Sequence, residues 1–279
     1  MPGKLILCGT PIGNLSDVST RLHEALLEAD LVYAEDTRRA GILLGALGVR
    51  TVLRSYFVGN EARRAEELQL RLEAGETVAL ITDAGMPSIA DPGLTAVQAA
   101  IAADAVVTVV PGPSAVTAAL ALSGLPAERF VFEGFLPRKG KDRTKRLGEV
   151  ADEKRTVVLF SAKSRVVSDI KDLAAALGSD REIVVTRELT KVFEEVWRGT
   201  LAVAAEHWAA EELRGEFTLV IGGAAQEPAD LDRVVAETLN AIESGESMAD
   251  AVRRIASESG VSRRELYEVV LRTKTSTSS

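Results

Sequence analysis

The chain has 279 residues, 46% of them apolar, and a formal net charge of −8. That length can fill two modest cores, and no stretch approaches the run of about 20 apolar residues that a membrane span requires. A single cysteine, Cys8, and two distant histidines, His23 and His207, exclude a disulfide framework and a thiolate metal cluster. The composition predicts a cytoplasmic protein with no metal and no membrane partner.

The opening MPGKLILCGTPIG carries one lysine and a short apolar run that glycine and proline break at once, so it reads as a first strand rather than a leader. Apolar runs at Leu5–Cys8, Leu31–Ala34, Val78–Ile81 and Val106–Val110 predict buried parallel strands. Amphipathic stretches near Thr20–Glu28, Arg39–Leu47, Asn60–Glu73 and Leu94–Ala102 predict the helices between them. This alternation implies a layered α/β domain over residues 1–123. Residues 124–146, GLPAERFVFEGFLPRKGKDRTKR, hold prolines, glycines and a basic run, and predict an interdomain connection. A second α/β domain is expected over 147–225, with strands near Thr156–Phe160, Glu182–Thr186 and Phe217–Ile221. Its helices are expected near Val166–Leu177 and Leu201–Leu213. A C-terminal helical segment, 226–279, follows with helices near Asp230–Ile242, Met248–Ser257 and Ser262–Leu271 and a disordered TKTSTSS tail.

Neither G-x-G-x-x-G nor G-x-x-x-x-G-K-[ST] occurs, so neither a dinucleotide fingerprint nor a P-loop is supported. Three predicted strand ends instead carry unusual loops: GTPIGN after the first strand, TDAGMPSIADPG after Val78–Ile81, and PGPSA after Val106–Val110. Glycine lets backbone approach a ligand closely and proline fixes a loop in advance. Each loop alone reads more readily as a plain turn, and Ser114 in PGPSA could simply cap the helix that starts there. Three at corresponding strand ends point to a shared ligand at the carboxyl edge of a parallel sheet.

Taken in order, GTPIGNLSDVSTR, AEDTRR, TDAGMPSIADPG, PGPSA, GFLPRKGKDR, RELTKVFEEVWRGTL and RGEFTLVIGG carry a specific resemblance. The chain closely resembles the ribosomal RNA small-subunit methyltransferase I family, a branch of the tetrapyrrole methylase superfamily, from residue 4 to about 272. The resemblance implies two α/β domains with S-adenosylmethionine held in the cleft between them, and a homodimer. It implies transfer of a methyl group to the ribose 2′-oxygen of a cytidine in the decoding region of 16S rRNA, within the 30S subunit. It places Pro11, Gly13, Asp83, Gly85, Met86, Pro87, Ser88, Ile89, Ser114 and Ala115 at the cofactor, with Asp83 attracting the cationic ligand. The chain departs from the family at Phe160-Ser161-Ala162-Lys163-Ser164-Arg165, where an acid and a histidine are usual, and at Phe57-Val58-Gly59, where a histidine is commoner.

With no histidine at either place, the proton acceptor for a ribose hydroxyl is sought in Glu35 and Asp36, with Arg38 orienting the carboxylate or a phosphate. For Asp36 a helix N-cap is the competing reading. The run 138–146 holds six basic side chains and one acid, conspicuous in an acidic chain. Either it is a solvated linker or Arg138, Lys139, Lys141 and Arg143, with Lys191 from RELTK, contact RNA phosphates. Two rival functions remain at this point: a tetrapyrrole carbon methyltransferase, and a non-catalytic RNA-binding assembly factor.

Overall fold

The computed structural model describes residues 2–225 and 231–277. The chain divides into two compact units, Met1–Ala224 and Ala225–Ser279.

The first unit contains two five-stranded sheets. In the first, β1 (Lys4–Cys8), β2 (Leu31–Ala34), β3 (Val52–Ser55), β4 (Thr77–Ile81) and β5 (Val106–Val110) lie in the order β3-β2-β4-β1-β5, every pair parallel. Successive side chains of a strand face opposite sides, and here both sides are covered. Ile6, Val32 and Ala79 pack on Leu22 and Leu26 of α1 (Thr20–Glu28) and Leu43 of α2 (Thr37–Ala46). Leu5, Leu31 and Val78 pack on Leu68 and Leu72 of α3 (Glu61–Glu73) and Ala96 of α4 (Leu94–Ala102). That double burial is why the central strands read as unbroken apolar runs. Cys8 lies within this core, and burial pushes its thiol up to about 12, which excludes it as a nucleophile. The two edge strands are the exceptions: β3 has no buried residue, and β5 leaves Val106, Val107 and Val109 exposed.

The second sheet holds β6 (Phe130–Phe135), β7 (Thr156–Ala162), β8 (Glu182–Arg187), β9 (Glu195–Thr200) and β10 (Glu216–Ile221), ordered β6-β7-β10-β8-β9. Only β6 and β7 are parallel. One face is covered by α6 (Lys141–Asp152), α7 (Val166–Leu177) and α8 (Leu201–Ala210), around Val150, Ile170, Leu173 and Trp208.

The other face corrects two expectations about domain boundaries. Helix α5 (Ala115–Ser123), expected within a domain ending at residue 123, packs Val116, Ala119 and Leu120 on Val158, Val184 and Val220 of the second sheet. Residues 124–146, expected as a connection, supply β6 and the first half of α6. β6 itself is only half-buried, with Phe132 packed against the second sheet's core, but the burial of Val150 on α6 and the strand pairing of β6 with β7 outweigh the local glycine and proline signals.

In the second unit, α9 (Leu231–Glu243), α10 (Met248–Ser259) and α11 (Arg263–Thr277) enclose Val234, Val252, Ile255, Leu266 and Val270. Helix α11 runs past the expected end at Leu271 into the TKTSTSS stretch as far as Thr277, while Ser278 and Ser279 lie outside the described residues. Asp230, the expected start of the first of these helices, also lies outside them. Among the described residues no helix is long and apolar enough to cross a membrane.

Candidate active site

The three loops singled out in the sequence leave the carboxyl ends of β4, β1 and β5, which are adjacent in the sheet. They are joined to one another. Thr10 and Gly85 exchange backbone hydrogen bonds, Thr10 N to Gly85 O at 2.9 Å and Gly85 N to Thr10 O at 3.1 Å. Gly9 and Gly112 approach so closely that a Cβ on Gly9 would lie 2.6 Å from the Gly112 nitrogen. Gly85 adopts φ +77°, a left-handed conformation that costs other residues energy.

Above these loops lies a cavity of about 640 Å³, within the range that holds small-molecule ligands. Its floor is Asp83, Gly85, Met86, Ile89, Ser114 and Ala115, all expected from the sequence. Its opposite wall, which the sequence did not identify, comes from the second sheet and includes Phe135, Phe160, Ser161, Lys163, Leu189 and Thr218. A smaller adjoining cavity of about 320 Å³ takes Pro11 and Gly13, sharing Ile12, Arg39, Asp83, Ala84, Lys191 and Glu216 with the first. Pro87 and Ser88 line neither cavity. Pro87 is buried behind the loop, and Ser88, at φ +70°, donates its amide to Pro92 O and packs on Gly93, so both shape the turn. Ser114 occupies the N-cap position of α5 but makes no side-chain cap bond there, leaving its hydroxyl at the cavity.

The electrostatics of the main cavity are acidic. Glu35, Asp83 and Asp91 all line it. Burial and the charges of Glu35 and Asp83 push the Asp91 carboxyl up to about 6. Burial and the neighbouring Asp83 likewise raise Glu35 above the ordinary carboxylate range. Arg39, with Nη1 3.4 Å from Asp83 Oδ2, supplies a partial counter-charge. Such a site favours a cationic, small-molecule ligand whose apolar part rests on Ile12, Met86, Phe160 and Leu189.

The EDTR motif separates into distinct roles. Asp36 is the N-cap of α2, its Oδ1 accepting the Arg38 amide at 2.8 Å. The Arg38 guanidinium grips the same carboxylate through contacts of 3.1 and 2.7 Å, and these bonds hold Asp36 well below the usual carboxylate range. Asp36 lines neither cavity, and a carboxylate so strongly ionised is a poor proton acceptor. Glu35 faces the cavity, and Arg39 rather than Arg38 reaches it. No histidine lines either cavity.

The expected RNA contacts also separate. Arg138, Lys139 and Lys141 are exposed and form no ion pair among the described residues. Arg143 is corrected from a phosphate contact to a structural residue: it is 8% exposed and bonded to Asp169 at 2.9 Å and Asp172 at 2.6 Å. A guanidinium already neutralised by two carboxylates is not available to RNA. Lys191 is engaged in the same way, with Glu188 at 2.7 Å and Glu216 at 3.0 Å. Burial works against its charge, but those two acids outweigh it and raise its pKa. It is a wall of the cavity rather than a free phosphate contact.

A parallel sheet whose strand-end loops face a mixed sheet across an acidic cavity has the layout of one methyltransferase class. Residues 4–205 match Tetrapyrrole (Corrin/Porphyrin) Methylases, and the chain belongs to that family. The uroporphyrin-III C-methyltransferase of Thermus thermophilus complexed with S-adenosyl homocysteine shares the fold, with a TM-score of 0.56 and 21% identity over 79% of this chain and 97% of that one. Much nearer in sequence is the protein named Ribosomal RNA small subunit methyltransferase I. The Mycobacterium tuberculosis (H37Rv) protein of that name is 45% identical over 278 residues, covering 99% of this chain and 97% of its own. That of Synechocystis is 42% identical over 272 residues, covering 96% and 98%. These relatives place the chain in their branch of the family.

Proposed function

We propose that the chain is an S-adenosylmethionine-dependent methyltransferase that methylates small-subunit ribosomal RNA, at the ribose 2′-oxygen of a cytidine in the decoding region of 16S rRNA. The observation that carries this reading is near-full-length identity of 42–45% to ribosomal RNA small subunit methyltransferase I, combined with an acidic cavity at the strand-end loops. The residues fit the cofactor: Glu35, Asp83 and Asp91 suit a sulfonium cation, Ser114 offers a free hydroxyl, and Met86, Phe160 and Leu189 offer an apolar seat for an adenine ring. When bound, S-adenosylmethionine supplies an activated methyl group, so alignment with the attacking oxygen provides much of the rate.

The chain's own residues then divide the work. Gly85 and the apposed Gly9 and Gly112 hold the loops in a shape fixed before the ligand arrives. Glu35 accepts the ribose proton, its raised proton affinity making it the better base of the EDTR pair. Asp91 and Asp83 attract the cation, and Arg39 orients Asp83. Arg138, Lys139 and Lys141 hold RNA phosphates from the end of β6 and the start of α6, a few residues along the chain from Phe135 of the cavity wall. The substrate is the RNA presented in the 30S subunit. A second copy of the chain covers the edge of β5, where Val106, Val107 and Val109 would otherwise face water.

Transfer of tritiated methyl from S-adenosylmethionine to 30S subunits lacking the modification, run beside uroporphyrinogen as competitor substrate, tests the reading. Label in rRNA alone is expected. Label in uroporphyrinogen alone would make the chain a tetrapyrrole methyltransferase, and cofactor binding without transfer to either would make it an assembly factor.

A further inference from the structure

The Leu136–Gly140 turn, which carries Arg138 and Lys139, is not left to find its own position. Two buried or half-buried guanidiniums hold its backbone. Arg143 donates from Nη1 to Pro137 O at 2.9 Å, and Arg165 donates from Nη2 to Leu136 O at 3.0 Å and Pro137 O at 3.2 Å. Both meet at one carboxylate oxygen, Asp169 Oδ1, at 2.9 Å from Arg143 and 3.1 Å from Arg165. The other oxygen, Asp169 Oδ2, accepts the Ser161 hydroxyl at 2.6 Å. Asp169 is 2% exposed and Ser161 3%, yet Ser161 also forms part of the cavity wall. One side chain therefore stands between the cavity and the basic turn.

Burying this group of charges is expensive unless every bond is made. A carboxylate shared by two arginines, each also capping a carbonyl of the same turn, fixes that turn's conformation more than it adds stability. Free carbonyls at Leu136 and Pro137 would let the turn move, and with it the directions of Arg138 and Lys139.

We propose that Asp169 is a positioning residue for RNA binding: through Arg143 and Arg165 it locks the Leu136–Gly140 turn so that Arg138 and Lys139 meet the substrate backbone in register with the cavity. This rests on the proposed rRNA substrate. The polyanion recognised is the RNA backbone, and the clamp takes no part in methyl transfer itself.

The test substitutes Asp169→Asn, which keeps an oxygen for the Ser161 hydroxyl and turns an amide towards the two arginines. Binding of 30S subunits is measured against salt concentration, with S-adenosylmethionine affinity by calorimetry and thermal melting alongside. The expected result is a substrate KM raised at least tenfold, a salt slope flattened by about 1 to 2, and unchanged kcat and cofactor affinity. On an Arg138→Ala/Lys139→Ala background the same substitution is expected to add no further loss, because the groups it positions are gone. Arg165→Lys, which leaves the Arg143–Asp169 pair intact, serves if Asp169→Asn does not fold, and the same non-additivity is expected. Additive losses, a wild-type salt slope, or a parallel fall in cofactor affinity would overturn the inference. Wild-type protein that neither binds nor methylates 30S subunits would overturn the rRNA reading itself, a result separate from a clamp variant that behaves as wild type.

Discussion

Lowering the pH from 7 to 5 should weaken S-adenosylmethionine binding through Asp91. The carboxyl sits at about 6 because burial and the like charges of Glu35 and Asp83 oppose its ionisation. In the free protein it is therefore about nine-tenths ionised at pH 7 and about one-tenth at pH 5. A sulfonium cation in the cavity favours the ionised form and returns the pKa towards its ordinary value of about 4. The linked protonation then costs up to roughly tenfold in affinity at pH 5 and almost nothing at pH 7. The ligand's own groups hardly titrate in that window, since an α-amino group loses its proton near 8. Calorimetric titration at half-unit steps measures the profile. S-adenosylhomocysteine, which lacks the sulfonium charge, should show a shallower one, and Asp91→Asn should flatten the profile for both. An affinity constant from pH 5 to 7, or an equal slope in Asp91→Asn, would show that Asp91 does not meet the cation.

Asp91 also makes the opposite prediction for the unliganded fold. Its folded pKa lies above the unfolded one, so its ionisation destabilises progressively as pH rises from about 4 to 6. Asp91→Asn should stabilise the protein at pH 7 by on the order of 1 kcal/mol, less than the full shift implies because the group is half exposed to solvent screening, and by nothing at pH 3.5 in chemical denaturation. Glu35→Gln should lower single-turnover methyl transfer by about 10²–10⁴-fold with both ligands still bound, whereas Asp36→Asn, which keeps a helix cap, should retain most activity. Gly85→Val should abolish cofactor binding in a folded protein, because φ +77° is strained for a β-branched residue and its Cβ would already touch Ile12 and the Pro113 carbonyl at 3.6 Å; wild-type affinity by calorimetry would remove the loop from the site. Val107→Lys on β5 should yield a monomer by light scattering if a second copy covers that edge, and unchanged mass would place the partner elsewhere.

How much of this was legible depended on whether neighbours in sequence were neighbours in space. β1, β2 and β4 were legible because both faces of their sheet are buried, and β5 because its valines form a continuous run even at an exposed edge. The three floor loops followed from their combination, since one glycine- and proline-rich turn after a strand is commonplace but three at corresponding strand ends are not. β3 and β9 were missed because VLRS and EVWRGT are only half-buried and carry charges. β6 was hidden among glycines and prolines. Glu35 and Asp36 were both visible as acids, but only the turn of the chain into α2 decides which faces the cavity and which caps the helix. Asp91 was visible only as a turn, and Arg39, Phe160 and Leu189 reach the cavity through tertiary packing. Arg143 did leave a signal: with Leu147 and Val150 it falls at i, i+4 and i+7, the spacing of one helix face, and that face packs against the second sheet. Read as a run of charges, 138–146 looked uniform; read as a helix start, it separates a buried arginine from exposed cations.

The central claim is methyl transfer from a cofactor in the Asp83–Asp91–Glu35 cavity to a ribose oxygen of small-subunit rRNA. The most direct measurement is nucleoside and fragment mass spectrometry of 16S rRNA after incubation of unmodified 30S subunits with the protein and S-adenosylmethionine bearing a deuterated methyl. The labelled methyl is expected on the ribose of one cytidine in the decoding region, appearing about 10²–10⁴-fold more slowly when Glu35→Gln replaces the wild type in a single-turnover reaction. Label on a base, label in another nucleotide, or undiminished ribose label with Glu35→Gln would contradict it.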